Sequence, residues 1–170
     1  MESVISQIVG VFVIFAFVIA PHMKTKTALL ACVVIGNLLT VVEFSLLGAM
    51  TEVAVMAVST VRSVAFFIYS KQGKRAPVWM LILFMAMQGA AVALTWKSAV
   101  SLLMLFDIVQ TYGQWQTNLK VLRFLTIVAA IPIGIYNIIV GGYTGAVNQF
   151  GQALSAAIAL WRKHYFKKVT

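Results

Sequence analysis

Acid is almost missing from this sequence. Four Asp and Glu stand against thirteen Lys and Arg in 170 residues, and charged side chains make up only 10% of the chain. That little charge excludes an ordinary water-facing surface, of which charged side chains form about a quarter or more. Cysteine occurs once, at Cys32 inside an apolar run. A single thiol builds neither a disulfide nor a thiolate metal site, and it reads as a small hydrophobe in a helix. Of three prolines, Pro132 alone falls within an apolar run, since Pro21 and Pro77 stand at run ends. His22 and His164 have no carboxylate or cysteine neighbours at ligand spacing, so no metal site is expected. The sequence carries no nucleophile and base pair, phosphate loop or paired catalytic carboxylates, so no catalytic residue, cofactor or enzymatic activity is expected.

What the chain has is apolar surface: 62% of its residues are hydrophobic. Runs of about 15–21 residues, most of them long enough for the hydrocarbon core of a bilayer, recur at Val4–Ala20, Thr27–Leu47, Thr51–Tyr69, Val78–Leu94, Ser98–Tyr112, Val121–Val140 and Tyr143–Trp161. The first follows Met1 and Glu2 with no basic segment and is trailed by Pro21-His22, so it reads as a retained helix rather than a signal peptide. The fold class is therefore all-α, a polytopic membrane protein of seven transmembrane helices. The short linkers leave no room for a soluble domain.

The net charge of +9 invites a nucleic-acid reading, which its distribution removes. With seven crossings, Lys24, Lys26, Lys71, Lys74, Arg75, Lys120, Arg123, Arg162, Lys163, Lys167 and Lys168 fall on one side and Lys97 on the other. The positive-inside rule makes the rich side cytoplasmic, with the N-terminus outside and the C-terminus inside. The basic residues set topology and meet anionic lipid headgroups, which makes the bilayer the first partner and excludes nucleic acid.

An internal duplication organises the helices. At an offset of 93 positions, Gly48–Lys71 falls on Gly141–His164 and Val4–Ala20 on Lys97–Gly113. Each copy holds three helices, and an odd linker helix between them leaves the copies parallel, as in one class of transporter repeat. The expected units are 1–76, a linker helix over 77–96, and 97–170 with its basic tail. Gly48 and Thr51 match Gly141 and Thr144 in a tight turn. Polarity matches better than identity. Glu52, Val55/Met56, Ser59 and Arg62/Ser63 form one face of the third helix, and Gly145, Asn148/Gln149, Gln152 and Ser155/Ala156 form the corresponding face of the seventh. If an axis along the membrane normal relates the copies, these faces point at each other. A packing seam accounts for single members, whereas a hydrated cavity accounts for the whole stripe.

Two charges lie at membrane depth. Arg62 is about eleven residues, or roughly 16 Å, into the third helix, and Asp107 is at similar depth in the fifth. Each alone in hydrocarbon costs about 2.5–3.5 kcal/mol on insertion scales, so they are expected to pair directly or through a solute. Gln88, isolated in a Met-rich stretch, reads as a packing residue. Glu52 follows Thr51 and reads as part of a helix cap, while Glu43 is left to line an outer vestibule. Trp79, Trp96, Trp115, Tyr143, Trp161 and Tyr165 stand at run ends, as an interfacial belt would, with Trp96 and Trp115 as candidate gates.

These residues carry a resemblance. The stretch Val33-Val34-Ile35-Gly36 through Leu46-Leu47-Gly48, then Val58-Ser59-Thr60-Val61-Arg62-Ser63, a basic loop and Leu160-Trp161-Arg162 resemble the YgjV-type bacterial inner-membrane proteins. That resemblance implies an inner-membrane location and puts the mid-membrane arginine of the third helix at Arg62. The three-plus-one-plus-three plan more loosely resembles the SWEET, PQ-loop and PnuC-type transporters. By that resemblance a substrate site would lie between the third and seventh helices, with Ser59 and Arg62 opposite Gln149 and Gln152. The missing hinge prolines and the absence of a Pro-Gln pair depart from that pattern. The expected function is a carrier for a small polar solute, a facilitator or proton-coupled, with Arg62, Asp107, Ser59, Asn148, Gln149, Gln152 and Glu43 at its substrate site. The alternative is a membrane scaffold, subunit or lipid-binding protein, and a homo-oligomer stays open.

Overall fold

Each apolar run has the length and the helix-forming composition to satisfy its own backbone in lipid, and each becomes helical. The computed structural model describes residues 2–46, 50–96, 98–139 and 142–166, with the side chains of residues 2–7, 51 and 162–166 left out. The Gly48 and Gly141 turn, the Thr51 cap, Lys97 and the basic tail from Arg162 lie outside the described residues or side chains. Seven α-helices follow in order: α1 (Glu2–Ile19), α2 (Lys26–Leu46), α3 (Met50–Lys71), α4 (Val78–Leu94), α5 (Asp107–Trp115), α6 (Leu119–Ile139) and α7 (Tyr143–Phe166). The elements described are all helical, and α2, most of α3 (Glu52–Lys71) and α6 are each long and apolar enough to cross a membrane.

The fifth crossing departs from expectation. Ser98–Tyr112 is not one continuous α-helix, because Ala99–Phe106 winds as a 3₁₀ helix and α5 begins only at Asp107. Eight 3₁₀ residues at about 2.0 Å each and nine α residues at about 1.5 Å each still span roughly 30 Å, a hydrocarbon core. Asp107 thus stands at the first turn of a half-length helix near mid-depth, not ten residues into a long one.

The helices pack in chain order around a ring: α1 on α2, α2 on α3, α3 on α4, α4 on α5, α5 on α6 and α6 on α7. The ring closes where α7 packs on α1. There Ser155 Oγ donates to Val18 O at 2.6 Å. A Cβ on Gly10 would lie 2.9 Å from Thr144 Cγ2, so the two helices run parallel, as an odd number of alternating crossings requires. At one end of the ring α2 starts and α3 finishes, joined by Thr27 Oγ1 and Ser70 Oγ at 2.9 Å; the same end holds most of the described basic residues. The acidic residues Glu43 and Glu52 belong to the opposite half.

Apolarity is arranged inside out. Phe12, Phe15, Ile82 and Leu154 are each at least 60% exposed, as side chains meeting lipid would be, while 19 polar or charged side chains are buried among the described residues. Three apolar clusters brace the walls, one around Val55, Met104 and Ile133, one around Phe17, Leu29 and Leu122, and one around Phe66 and Phe84, whose rings meet edge to face at 5.8 Å. Trp79, Trp96, Tyr143 and Trp161 are half or more exposed near helix ends, as the belt requires. Trp115 is a correction. It is buried at the end of α5, where Nε1 donates to Ala76 O at 2.7 Å and the Arg75 guanidinium lies 3.4 Å over its ring. A buried indole needs an acceptor for its one donor, and the loop carbonyl supplies it.

Candidate functional site: a polar cavity inside the helix ring

The polar stripes of α3 and α7 both turn inward. Glu52, Ser59, Arg62 and Ser63 are buried on α3, and Asn148, Gln149, Gln152 and Ser155 on α7. The two helices are held apart by other members of the ring, since α3 packs on α2, α4 and α5 and α7 on α1 and α6. What lies between them is a narrow cavity of about 20 Å³, room for about one water. Glu52 and Met56 form its α3 wall, and Gly145, Asn148, Gln149 and Gln152 its α7 wall. The rest comes from Phe17 of α1, Val33, Asn37, Thr40, Glu43 and Phe44 of α2, Asp107, Gln110 and Gln114 of α5, and Asn137 of α6.

Arg62 and Asp107 do pair. Arg62 Nη1 donates to Asp107 Oδ2 at 3.0 Å, with both side chains 1% exposed. Ser59 Oγ donates to the same oxygen at 2.6 Å, and Gln88 Nε2 donates to it as well. Thr111 Oγ1 accepts from Arg62 at 2.5 Å and lies 2.5 Å from Gln88 Oε1, to which it donates. Three donors on one carboxylate oxygen keep a buried charge in place, since charge-assisted bonds offset its lost hydration. Gln88 is therefore a member of this network rather than a packing residue. Asp107 also lines the cavity, whereas Ser59 and Arg62 stand behind it, away from the lining. Beside them, Asn37 Nδ2 donates to Ser63 Oγ at 3.2 Å, and Ser63 Oγ donates to Gln114 Oε1 at 3.0 Å, tying α2, α3 and α5 together.

Glu52 is a second correction. Instead of capping α3 at the surface it is 2% exposed inside the ring. The Asn137 amide, with its nitrogen turned to α3, donates to Glu52 Oε1 at 3.0 Å. Glycine makes this approach fit, because a Cβ on Gly145 would sit 2.7 Å from the Asn137 amide and 3.0 Å from the Phe44 ring. Glu43 is 1% exposed, close to Gly10 of α1 and Thr144 of α7. Its Oε1 has no hydrogen-bond partner, and neither have Asn148 Oδ1 and Gln149 Oε1.

A second cavity of about 20 Å³, lined largely by apolar side chains, continues toward the basic end. It shares Phe17, Val33, Gln110, Gln114 and Gln152 with the first and ends on Thr126 and Arg123. Arg123, expected among the topology-setting surface charges, is 6% exposed. Its Nη2 donates to Met23 O at 3.2 Å, and its Nε is without a partner. From Arg123 to Asn137 along α6 is about 21 Å at 1.5 Å per residue, so the joined cavities follow most of the bilayer core.

Of the expected site residues, Asp107, Asn148, Gln149, Gln152 and Glu43 line the first cavity, and Ser59 and Arg62 support it through Asp107. Asn37, Thr40, Gln110, Gln114, Asn137 and Arg123 were not expected. A signal for some was present, since Asp107, Gln110, Thr111 and Gln114, and again Asn37, Thr40 and Glu43, recur at helical spacing in otherwise apolar runs. Residues 4–167 match the Imp-YgjV family model, described as bacterial inner membrane protein. No curated protein and no solved structure matches the chain significantly.

Proposed function

The chain belongs to the Imp-YgjV family of bacterial inner membrane proteins, and from that premise we propose that it is a carrier for a small polar solute rather than an enzyme. The observation that carries this reading is a polar cavity, with a more apolar one sharing its glutamines, inside a ring whose outer face is apolar. Polar groups at membrane depth are expensive unless water, a partner or a ligand meets them. Gln110, Gln114 and Gln152 line both cavities, so a solute moving between them keeps hydrogen-bonding partners throughout. Asp107, Asn148 and Gln149 hold it, with Ser59 and Arg62 fixing Asp107. The 3₁₀ segment before α5 supplies the kind of interrupted helix that carriers use beside their sites.

In this reading the halves 1–76 and 97–170 rock about the linker helix over 77–96 and open the cavities to one side at a time. Charge distribution favours a cytoplasmic basic end and an outside N-terminus. With no ATP-binding motif in the sequence, movement is facilitated or ion-coupled. A second reading, a scaffold or subunit, draws on the Arg62 and Asp107 network, whose bonds all run to protein groups, although Arg62 Nε has no partner. Proteoliposome uptake of labelled sugars, nucleosides, vitamins and amino acids separates the two. The carrier reading expects saturable uptake of one class above empty liposomes, reduced at least tenfold by Gln149→Leu. Uptake of none, with protein correctly inserted, contradicts it.

A further inference from the structure

The cavity holds carboxyl groups that no basic side chain of its lining faces. Asp107 is matched by Arg62 at 3.0 Å, but Glu43 and Glu52, buried on the adjacent helices α2 and α3, face no Lys, Arg or His among the lining residues. Three oxygens of that lining are buried without a partner: Glu43 Oε1, Asn148 Oδ1 and Gln149 Oε1, on side chains 1%, 4% and 7% exposed. Such a site asks for positive charge and for donors. The free space of about 20 Å³ is of the size that one water needs, and so suits a bare ion or a single ammonium head.

We propose that Glu43, Glu52, Asn148 and Gln149 form a monovalent-cation site, occupied by an alkali metal ion or by a primary ammonium group. Carboxylate and amide oxygens are hard donors suited to alkali ions, and they accept the three N–H bonds of an ammonium equally well. Asn137 positions Glu52 by donating to it, and Gly10 and Gly145 leave the room that the carboxylates and amide need. The site deepens the carrier reading and takes its meaning from it. An alkali ion there would be a coupling ion, and an ammonium group would belong to the solute.

Thermal unfolding of the full chain in detergent tests binding without flux. NaCl, KCl and methylammonium chloride are titrated at constant ionic strength against N-methylglucamine chloride. The proposal expects at least one of the three to raise Tm saturably, by about 4 °C at ten times its Kd. The shift is lost in Glu43→Gln/Glu52→Gln and reduced in Gln149→Met, which keeps the volume should the double variant fold poorly. An alkali response assigns a coupling ion, and a methylammonium response alone assigns a solute group. Equal Tm in all four salts overturns the proposal, as does a shift that survives both variants, or stabilisation by acidification alone. Cation binding without any solute uptake would leave this site standing and remove the carrier reading instead.

Discussion

At the scale of single residues, the interior is governed by the cost of charge in a place without bulk water. Arg62 and Asp107 were legible as partners because no other pair of opposite charges shares their depth in the sequence. Their supporting donors were not. Ser59, Gln88 and Thr111 come from three helices, and only the azimuth at which those helices pack brings them onto one carboxylate. Removing one member of a buried pair costs about 3–5 kcal/mol, whereas replacing both costs less. Asp107→Asn or Arg62→Met is therefore expected to lower unfolding stability by about 3–5 kcal/mol. The Arg62→Met/Asp107→Leu double variant should recover more than half of that in micelle unfolding experiments. Additive losses would mean that the pair is not coupled. Gly145 supplies a prediction of opposite kind. Gly145→Ala puts a methyl against the Asn137 amide and Phe44, and such overpacking costs about 1–3 kcal/mol. A smaller Gly10→Ala penalty would follow if Glu43 Oε1 swings away, since that contact is to the end of a flexible side chain.

At the scale of elements, hydropathy reads length and composition and is blind to rotation about the helix axis. The ends of α2, α4 and α6 consequently lie close to the expected runs, while the break before α5 went unread. Ala99–Phe106 is as apolar as any α-helical run and contains neither Pro nor Gly, so nothing in its composition marks the change of winding. Arg123 was misplaced for the same reason: it starts a helix among other basic residues, yet packing turns it toward the second cavity. The other end of α5 is held by Trp115, whose indole spans from the helix to the loop carbonyl of Ala76. Trp115→Phe keeps the ring but cannot donate, leaving that carbonyl unpaired at a cost of about 1–3 kcal/mol. Melting curves of the purified variant should show this loss, and Arg75→Ala should cost less because its stacking is partly solvent-exposed. Equal effects would shift the weight of the latch to the cation.

At the scale of the whole molecule, a ring of seven helices has buried its polar residues and exposed its apolar ones, the arrangement a lipid solvent demands. Membrane residence was legible from composition alone. The two stripes facing inward were legible from the polarity that α3 and α7 share at an offset of 93 positions. The depth of the cavities was not, for it depends on α2, α5 and α6 contributing single polar residues that look incidental in their own runs. The central claim is that these cavities open to each side of the membrane in turn. Gln152 lines both. In a Cys32→Ala background, Gln152→Cys can be reacted with a membrane-impermeant thiol reagent in right-side-out and in inverted vesicles. The account predicts labelling from both sides, at rates at least tenfold above those of a lipid-facing Phe15→Cys. Labelling from neither side, or from one side only, would contradict it.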